Sequence, residues 1–253
     1  MKNIKNLLLT ALAIGSVALT GCLHIIEEVT FKEKGNGHYA MTIDMSELKS
    51  MMDMLKAIAP DSTDSETPDP EAEENSVPEL GKEIGDLAYA LKSVEGISNV
   101  KPLNDTSTYR FGYSFDFASV AALNRALEAI NKEKGGIGHV SDFQSKSAAK
   151  EFFKFDSKTF TRLPNGDMGA EMKEAMMEDD EETDEETKEM MLMMFAEMTY
   201  KQIYHFPDNE IKKSSNELTE LSDNNRTMTI VLKPFNEEQS AKKASVAAEV
   251  KLK

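Results

Sequence analysis

The stretch from Tyr109 to Phe117 constrains this chain more tightly than any other. Tyr109, Phe111, Tyr113, Phe115 and Phe117 occupy alternate positions, with Arg110, Gly112, Ser114 and Asp116 between them. Side chains of a β-strand point alternately to its two faces, so all five rings fall on one face of a sheet. The simplest consequence is a core face. The functional alternative is one wall of an apolar pocket between sheet and helices, lined by Tyr109, Phe111, Tyr113 and Phe115.

Other segments carry the same signature. Ile25, Val29 and Phe31 share one phase of 24–31, Gly35-Asn36-Gly37 supplies a turn, and Tyr39, Met41, Ile43 and Met45 resume the alternation, which predicts a β-hairpin. A second hairpin is expected over 150–163. Strands are expected at 199–206, 217–222 and 227–233, with Asn224-Asn225 turning between the last two, and 245–252 alternates as a closing strand. Helical spacing appears in Leu48, Met51, Met52 and Leu55 after a cap at Asp44 or Ser46. It returns in Leu80, Ile84, Leu87 and Leu91, which Gly96 ends, and in Val120, Leu123, Leu127 and Ile130 after Ser119. Both Thr42–Ser46 and Ser114–Ser119 lead from strand to helix. That echo fits either a duplicated hairpin-plus-helix unit or shared capping chemistry.

Two stretches do not fit a packed layer. Residues 60–78 contain Pro60, Pro68, Pro70 and Pro78, many acidic and hydroxyl side chains and no basic one, and 178–189 is an acidic run. Such segments bury too little apolar surface to offset their ordering entropy and are expected to be disordered loops. The expected fold is therefore α+β: mostly antiparallel sheet built from hairpins, helices packed on one face, and two acidic disordered insertions.

The chain's single cysteine, Cys22, sets its address. Lys2 and Lys5 make a positive n-region, Leu7 to Ala18 a short apolar h-region, and Leu19-Thr20-Gly21-Cys22 the lipobox of a bacterial lipoprotein. Residues 1–21 are then a signal peptide, and 22–253 a single envelope domain of 253 − 21 = 232 residues. Two or three acyl chains on Cys22 would anchor it stably, each buried methylene contributing about 0.8 kcal/mol. Leu23, rather than Asp, follows the cysteine, which in enterobacterial-type sorting favours the outer membrane, with a periplasmic or surface-facing domain. Without the signal, Lys+Arg falls to 29 − 2 = 27 against 45 Asp+Glu, a formal charge of −18. A phosphate backbone repels such a chain, so no nucleic-acid partner is expected.

The chain holds sixteen methionines. Met51, Met52 and Met54, then Met168, Met172, Met176 and Met177, then Met190, Met191, Met193, Met194 and Met198 lie at helical spacings. Thioethers bind Cu(I), but the same spacing makes a plastic apolar face, either core or the wall of an amphiphile groove that includes Met190 and Met194. The acidic run 178–186 lacks the glycine and ligand spacing of a calcium loop. His24, His38, His139 and His205 form no local zinc motif, although His38 and His205 both fall in strands and could meet in space. No nucleophile elbow, phosphate loop or dinucleotide fingerprint occurs. No catalytic residue, metal or cofactor is expected.

Tyr204-His205-Phe206-Pro207, Ile211, Asn216 and the strand Thr229-Ile230-Val231-Leu232 resemble the LppM-like domain of bacterial envelope lipoproteins, as do Asp44 at a strand-to-helix junction and the lipobox followed at once by a strand. The likeness covers about half of the chain. It implies a small non-enzymatic α/β sandwich able to bind lipids or glycolipids. The chain departs from that family in having no C-terminal membrane helix and in carrying the two acidic insertions. The expected function is a lipid-anchored, non-catalytic envelope protein, with a lipid or amphiphile as ligand. The alternatives are an assembly protein whose acidic loops engage an envelope partner, and a methionine-based copper binder.

Overall fold

The computed structural model describes residues 23–50, 70–132, 151–164, 196–236 and 246–253, with 70–80 described by backbone alone. The first hairpin forms as its pattern dictates. Strands β1 (His24–Phe31) and β2 (Gly37–Asp44) pair from His24↔Asp44 to Phe31↔Gly37. Gly35, at φ +75°, supplies the left-handed residue its turn needs. A second hairpin joins β3 (Ile97–Asp105) to β4 (Arg110–Phe117), and β4 pairs antiparallel with β2. On the other side, β7 (Thr199–His205) runs parallel to β1 and is followed by β10 (Thr227–Leu232) and β9 (Thr219–Ser222). The result is a seven-stranded mixed sheet in the order β3-β4-β2-β1-β7-β10-β9. The parallel β1–β7 pair joins segments far apart in sequence, so hairpins alone do not build the sheet.

A second, antiparallel sheet has the order β5-β6-β11-β8. Its strands are β5 (Phe153–Asp156), β6 (Thr159–Arg162), β11 (Ala248–Leu252) and β8 (Ile211–Ser214). The 150–163 hairpin and the closing strand are both found here. Sequence periodicity did not indicate β3 or β8. The side chains of β3 are largely exposed and carry no apolar alternation, and β8 is only four residues long.

Helix α1 (Pro70–Leu91) lies against β3 and β4, while α2 (Val120–Lys132) touches α1, β3, β4 and β5. Ser119 caps α2 as expected, its Oγ accepting from Ala122 N at 3.2 Å. Asn124 on α2 ties the helix to the small sheet: its Oδ1 accepts from Phe152 N and Phe153 N at 3.0 Å each, and its Nδ2 donates to Phe153 O at 2.9 Å. Asp44 rather than Ser46 caps the helical residues 46–50, accepting from Ser46 N at 3.1 Å.

Two expectations need correction. Residues 70–78, expected as disordered loop, are the first part of α1. Pro70 takes the first helical position, where its missing N–H is no loss. Nor do helices alone cover the large sheet. The small sheet packs over β1 and β7, with Phe160 4.9 Å from Tyr204 between ring centroids. Residues 60–69 and 178–189 lie outside the described residues.

One continuous core runs through both layers and the helices. Phe31 is its aromatic hub, with the rings of Phe117, Phe153, Phe155, Phe160 and Phe206 centred 5.1–6.0 Å away.

Candidate functional site

The inward phase of β1 reads Ile25, Glu27, Val29, Phe31, and all four side chains are buried. Glu27 is therefore held in the core by the alternation itself. Gln202 lies beside it on the parallel strand β7, also facing inward, between Tyr200 and Tyr204. Arg162 closes the group from the other sheet, placed at the end of β6 in the same phase as buried Phe160.

These groups meet at the Glu27 carboxylate. Tyr204 Oη donates to Oε1 at 2.8 Å and Tyr200 Oη to Oε2 at 3.0 Å. Gln202 Nε2 donates to Oε1 and Arg162 Nη2 to Oε2, each at 3.5 Å. The guanidinium also sits over the Phe153 ring, 4.5 Å from its centroid. Tyr39 and Tyr113 lie nearby with their rings stacked, centroids 6.2 Å apart. Among the described residues, buried Arg162 Nε and Gln202 Oε1 find no partner.

Electrostatics fix what this centre can do. Burial, then the charge of Glu27, push the Tyr200, Tyr204 and Tyr113 hydroxyls well above the usual phenol range. They stay protonated donors at any physiological pH and cannot serve as general bases. Burial by itself would lower the Arg162 pKa; the Glu27 carboxylate together with Tyr204, Tyr200 and Tyr39 outweighs it, so the guanidinium pKa is raised and the group stays charged. The centre is a charge clamp between two sheets.

The outward face of the same sheet carries a polar row. Asp116, His38, Thr30, His205 and Thr227 follow one another across β4, β2, β1, β7 and β10. His38 Nδ1 lies 2.6 Å from Asp116 Oδ1, and Asn99 Nδ2 donates to Asp116 Oδ2 at 2.6 Å. The hydrogen bonds from Asn99 and His38 lower the Asp116 pKa. His205 Nε2 lies 2.9 Å from Glu28 Oε1. His38 and His205 do not meet: β1 separates them, leaving two strand spacings, roughly 10 Å. Among the described residues no group of three or more His, Cys, Asp or Glu is placed to hold a metal ion.

The chain is similar in structure to LppM. The NMR structure of the folded domain of the Mycobacterium tuberculosis LppM protein matches 91% of this chain and 89% of that one, with 8% sequence identity and a TM-score of 0.39. No family model and no curated protein matches the sequence.

Of the residues expected to line a groove, Phe111, Tyr113 and Phe115 are buried in the core, stacked with Tyr39 or packed beneath the helices. Tyr109 does not continue their strand. It precedes β4 with φ +52°, half-buried, its ring edge-on to Phe111 and beneath the Lys49 ammonium. Met190, Met194, Leu19, Thr20, Gly21 and Cys22 lie outside the described residues. The Glu27 centre was missed because the apolar members of each alternation drew attention from the polar ones. Its signal is a polar residue in the buried phase of three strands: Glu27, Arg162 and Gln202.

Proposed function

We propose that the chain is a lipid-anchored, non-catalytic protein of the bacterial envelope, held at the membrane by acyl chains on Cys22. The observation that carries this reading is the lipobox Leu19-Thr20-Gly21-Cys22 standing immediately before a folded strand that starts at His24. A lipidated cysteine so close to the fold leaves no tether, and the domain works beside the bilayer. Among the described residues the polar cluster at Glu27 is sealed in the core, away from any substrate in solvent, which supports a binding or scaffolding role over catalysis there. No helix among the described residues is long and apolar enough to cross a membrane.

In the finer form of this reading the domain takes up a lipid or other amphiphile along the aromatic stripe. Since Phe111 and Phe115 lie in closed core, such a ligand reaches them only where α1 and α2 lift from β4.

Metabolic labelling with an alkyne fatty acid tests the anchor in the full chain. Wild type is expected to carry label and to partition into detergent, and Cys22→Ser to lose both. An unlabelled wild-type protein overturns the anchor. Native mass spectrometry after delipidation and lipid add-back tests the ligand, and a domain that never retains lipid sinks that finer form.

A further inference from the structure

The clue is which end of the sheet the anchor joins. Leu23 O accepts from Thr199 N at 3.1 Å, so Leu23 is fixed to the start of β7. Consecutive Cα atoms are about 3.8 Å apart, which leaves Cys22 within roughly 8 Å of the first residue of β1. The strand registers then say what else lies at that end. His24 pairs with Asp44, Asp44 with Arg110, and Arg110 with Asp105, while Leu232 pairs with Tyr200 just before Lys233. The 105–108 turn, Tyr109 and the 233–236 turn thus all sit beside the anchor. The opposite end, with the 32–36 turn, is a strand length away, roughly 25 Å.

The chemistry of this end suits a headgroup layer. Leu23, Met45, Tyr109 and Phe235 are apolar side chains only partly covered by the core. Among the described residues this end carries Lys49, Arg110 and Lys233 with the carboxylates Asp44, Glu47, Asp105 and Glu197, a formal charge of 3 − 4 = −1. The mature chain as a whole carries −18. Arg110 Nε pairs with Asp44 Oδ2 at 3.2 Å, Lys233 Nζ with Glu197 Oε2 at 3.0 Å, and Lys49 lies 5.8 Å from the centre of the Tyr109 ring. Aromatic rings flanked by long cationic stems are what the membrane–water interface selects.

We propose that this end of the seven-stranded sheet, with the 105–108 turn, Tyr109 and the 233–236 turn, lies against the lipid headgroups, so that the strands stand away from the bilayer. The proposal rests on lipidation at Cys22 and adds a fixed orientation to it. Near charge balance makes the contact indifferent to lipid charge, so it forms on zwitterionic vesicles.

The chain has no tryptophan, so a single introduced indole reports without background. Thr106→Trp and Phe235→Trp place it at the anchored end, and Lys34→Trp at the far end. The full-length acylated protein is reconstituted in phosphatidylcholine vesicles with brominated acyl chains. Thr106→Trp and Phe235→Trp are expected to lose about half of their emission or more, as for a side chain within roughly 10 Å of the acyl boundary, and Lys34→Trp to lose almost none. Using two reporters covers the case in which one variant fails to fold. Equal quenching at both ends, or stronger quenching of Lys34→Trp, in protein shown to be acylated by mass spectrometry overturns the orientation and leaves the anchor standing. Protein that carries no acyl chain overturns the anchor itself.

Discussion

Glu27 and Glu28 are adjacent in sequence and face opposite ways through the same sheet. Glu27 points between the two sheets and is 0% exposed; the Glu28 side chain is 49% exposed and pairs with His205 on the outer face. Both have a cationic or imidazole partner within 3.5 Å. What separates them is solvent. A carboxylate out of water depends on its partners for all the stabilisation water would give, whereas an exposed one loses little when a partner goes. The inner face thus concentrates its energetics in a few residues from three strands, and the outer face spreads a polar row with little at stake in any member.

The comparison breaks most readily at these two positions. Glu27→Gln leaves the Arg162 charge buried without a counter-charge and is expected to destabilise the fold by about 3–5 kcal/mol. Glu28→Gln is expected to change stability by no more than about 0.5 kcal/mol. Urea unfolding followed by circular dichroism measures both. Similar losses at the two sites would mean the inner cluster is no clamp.

Much of the fold was legible because its strands are one-sided. The β1–β2 hairpin, the β4 stripe and β10 each put apolar residues in a single phase, and the structure buries that phase. The β1–β7 pairing was not legible, since a parallel contact between segments about 175 residues apart leaves no local trace. The start of α1 was hidden for a different reason. Its proline and acidic residues signal a disordered tract when read as composition, and a helix N-terminus when read by position. The Glu27 centre stood in plain view, since an apolar alternation interrupted by one charge marks either a strand end or a buried partner. Nothing local says which, because the partner Arg162 is 135 residues away on another sheet.

A double substitution sharpens the inner side of the comparison. Arg162→Met by itself strands the Glu27 charge, while Glu27→Gln/Arg162→Met removes both charges and keeps an amide oxygen to accept from Tyr200 and Tyr204. The pair is expected to recover on the order of 2 kcal/mol relative to the sum of the single losses. Arg162 Nε has no acceptor among the described residues, so the guanidinium is imperfectly satisfied and its removal sacrifices less than its burial suggests. Strict additivity would show that Glu27 and Arg162 do not sense each other.

The smallest effect concerns an exposed carboxylate that is nonetheless well held. Asp105, in the turn between β3 and β4, accepts from Ser107 Oγ at 2.6 Å, Thr108 Oγ1 at 2.7 Å, Ser107 N at 3.0 Å and Thr108 N at 3.2 Å. Hydrogen bonds from the Ser107 and Thr108 side chains are the main reason its pKa falls from the ordinary 3.8 to about 2. A depressed carboxylate contributes to stability above its unfolded pKa and loses that contribution as pH falls through the folded one. The Ser107 and Thr108 amide resonances should therefore titrate with a midpoint near 2, rather than at 3.8, and Asp105→Asn should abolish the titration. A midpoint at the ordinary value would show that the turn opens in solution. Because the group is bathed in water, the rest of the sheet should be indifferent to its protonation. A carboxylate can thus be as fully hydrogen-bonded as Glu27 and still carry none of the fold, which makes burial, more than the number of partners, the property that gives Glu27 its weight.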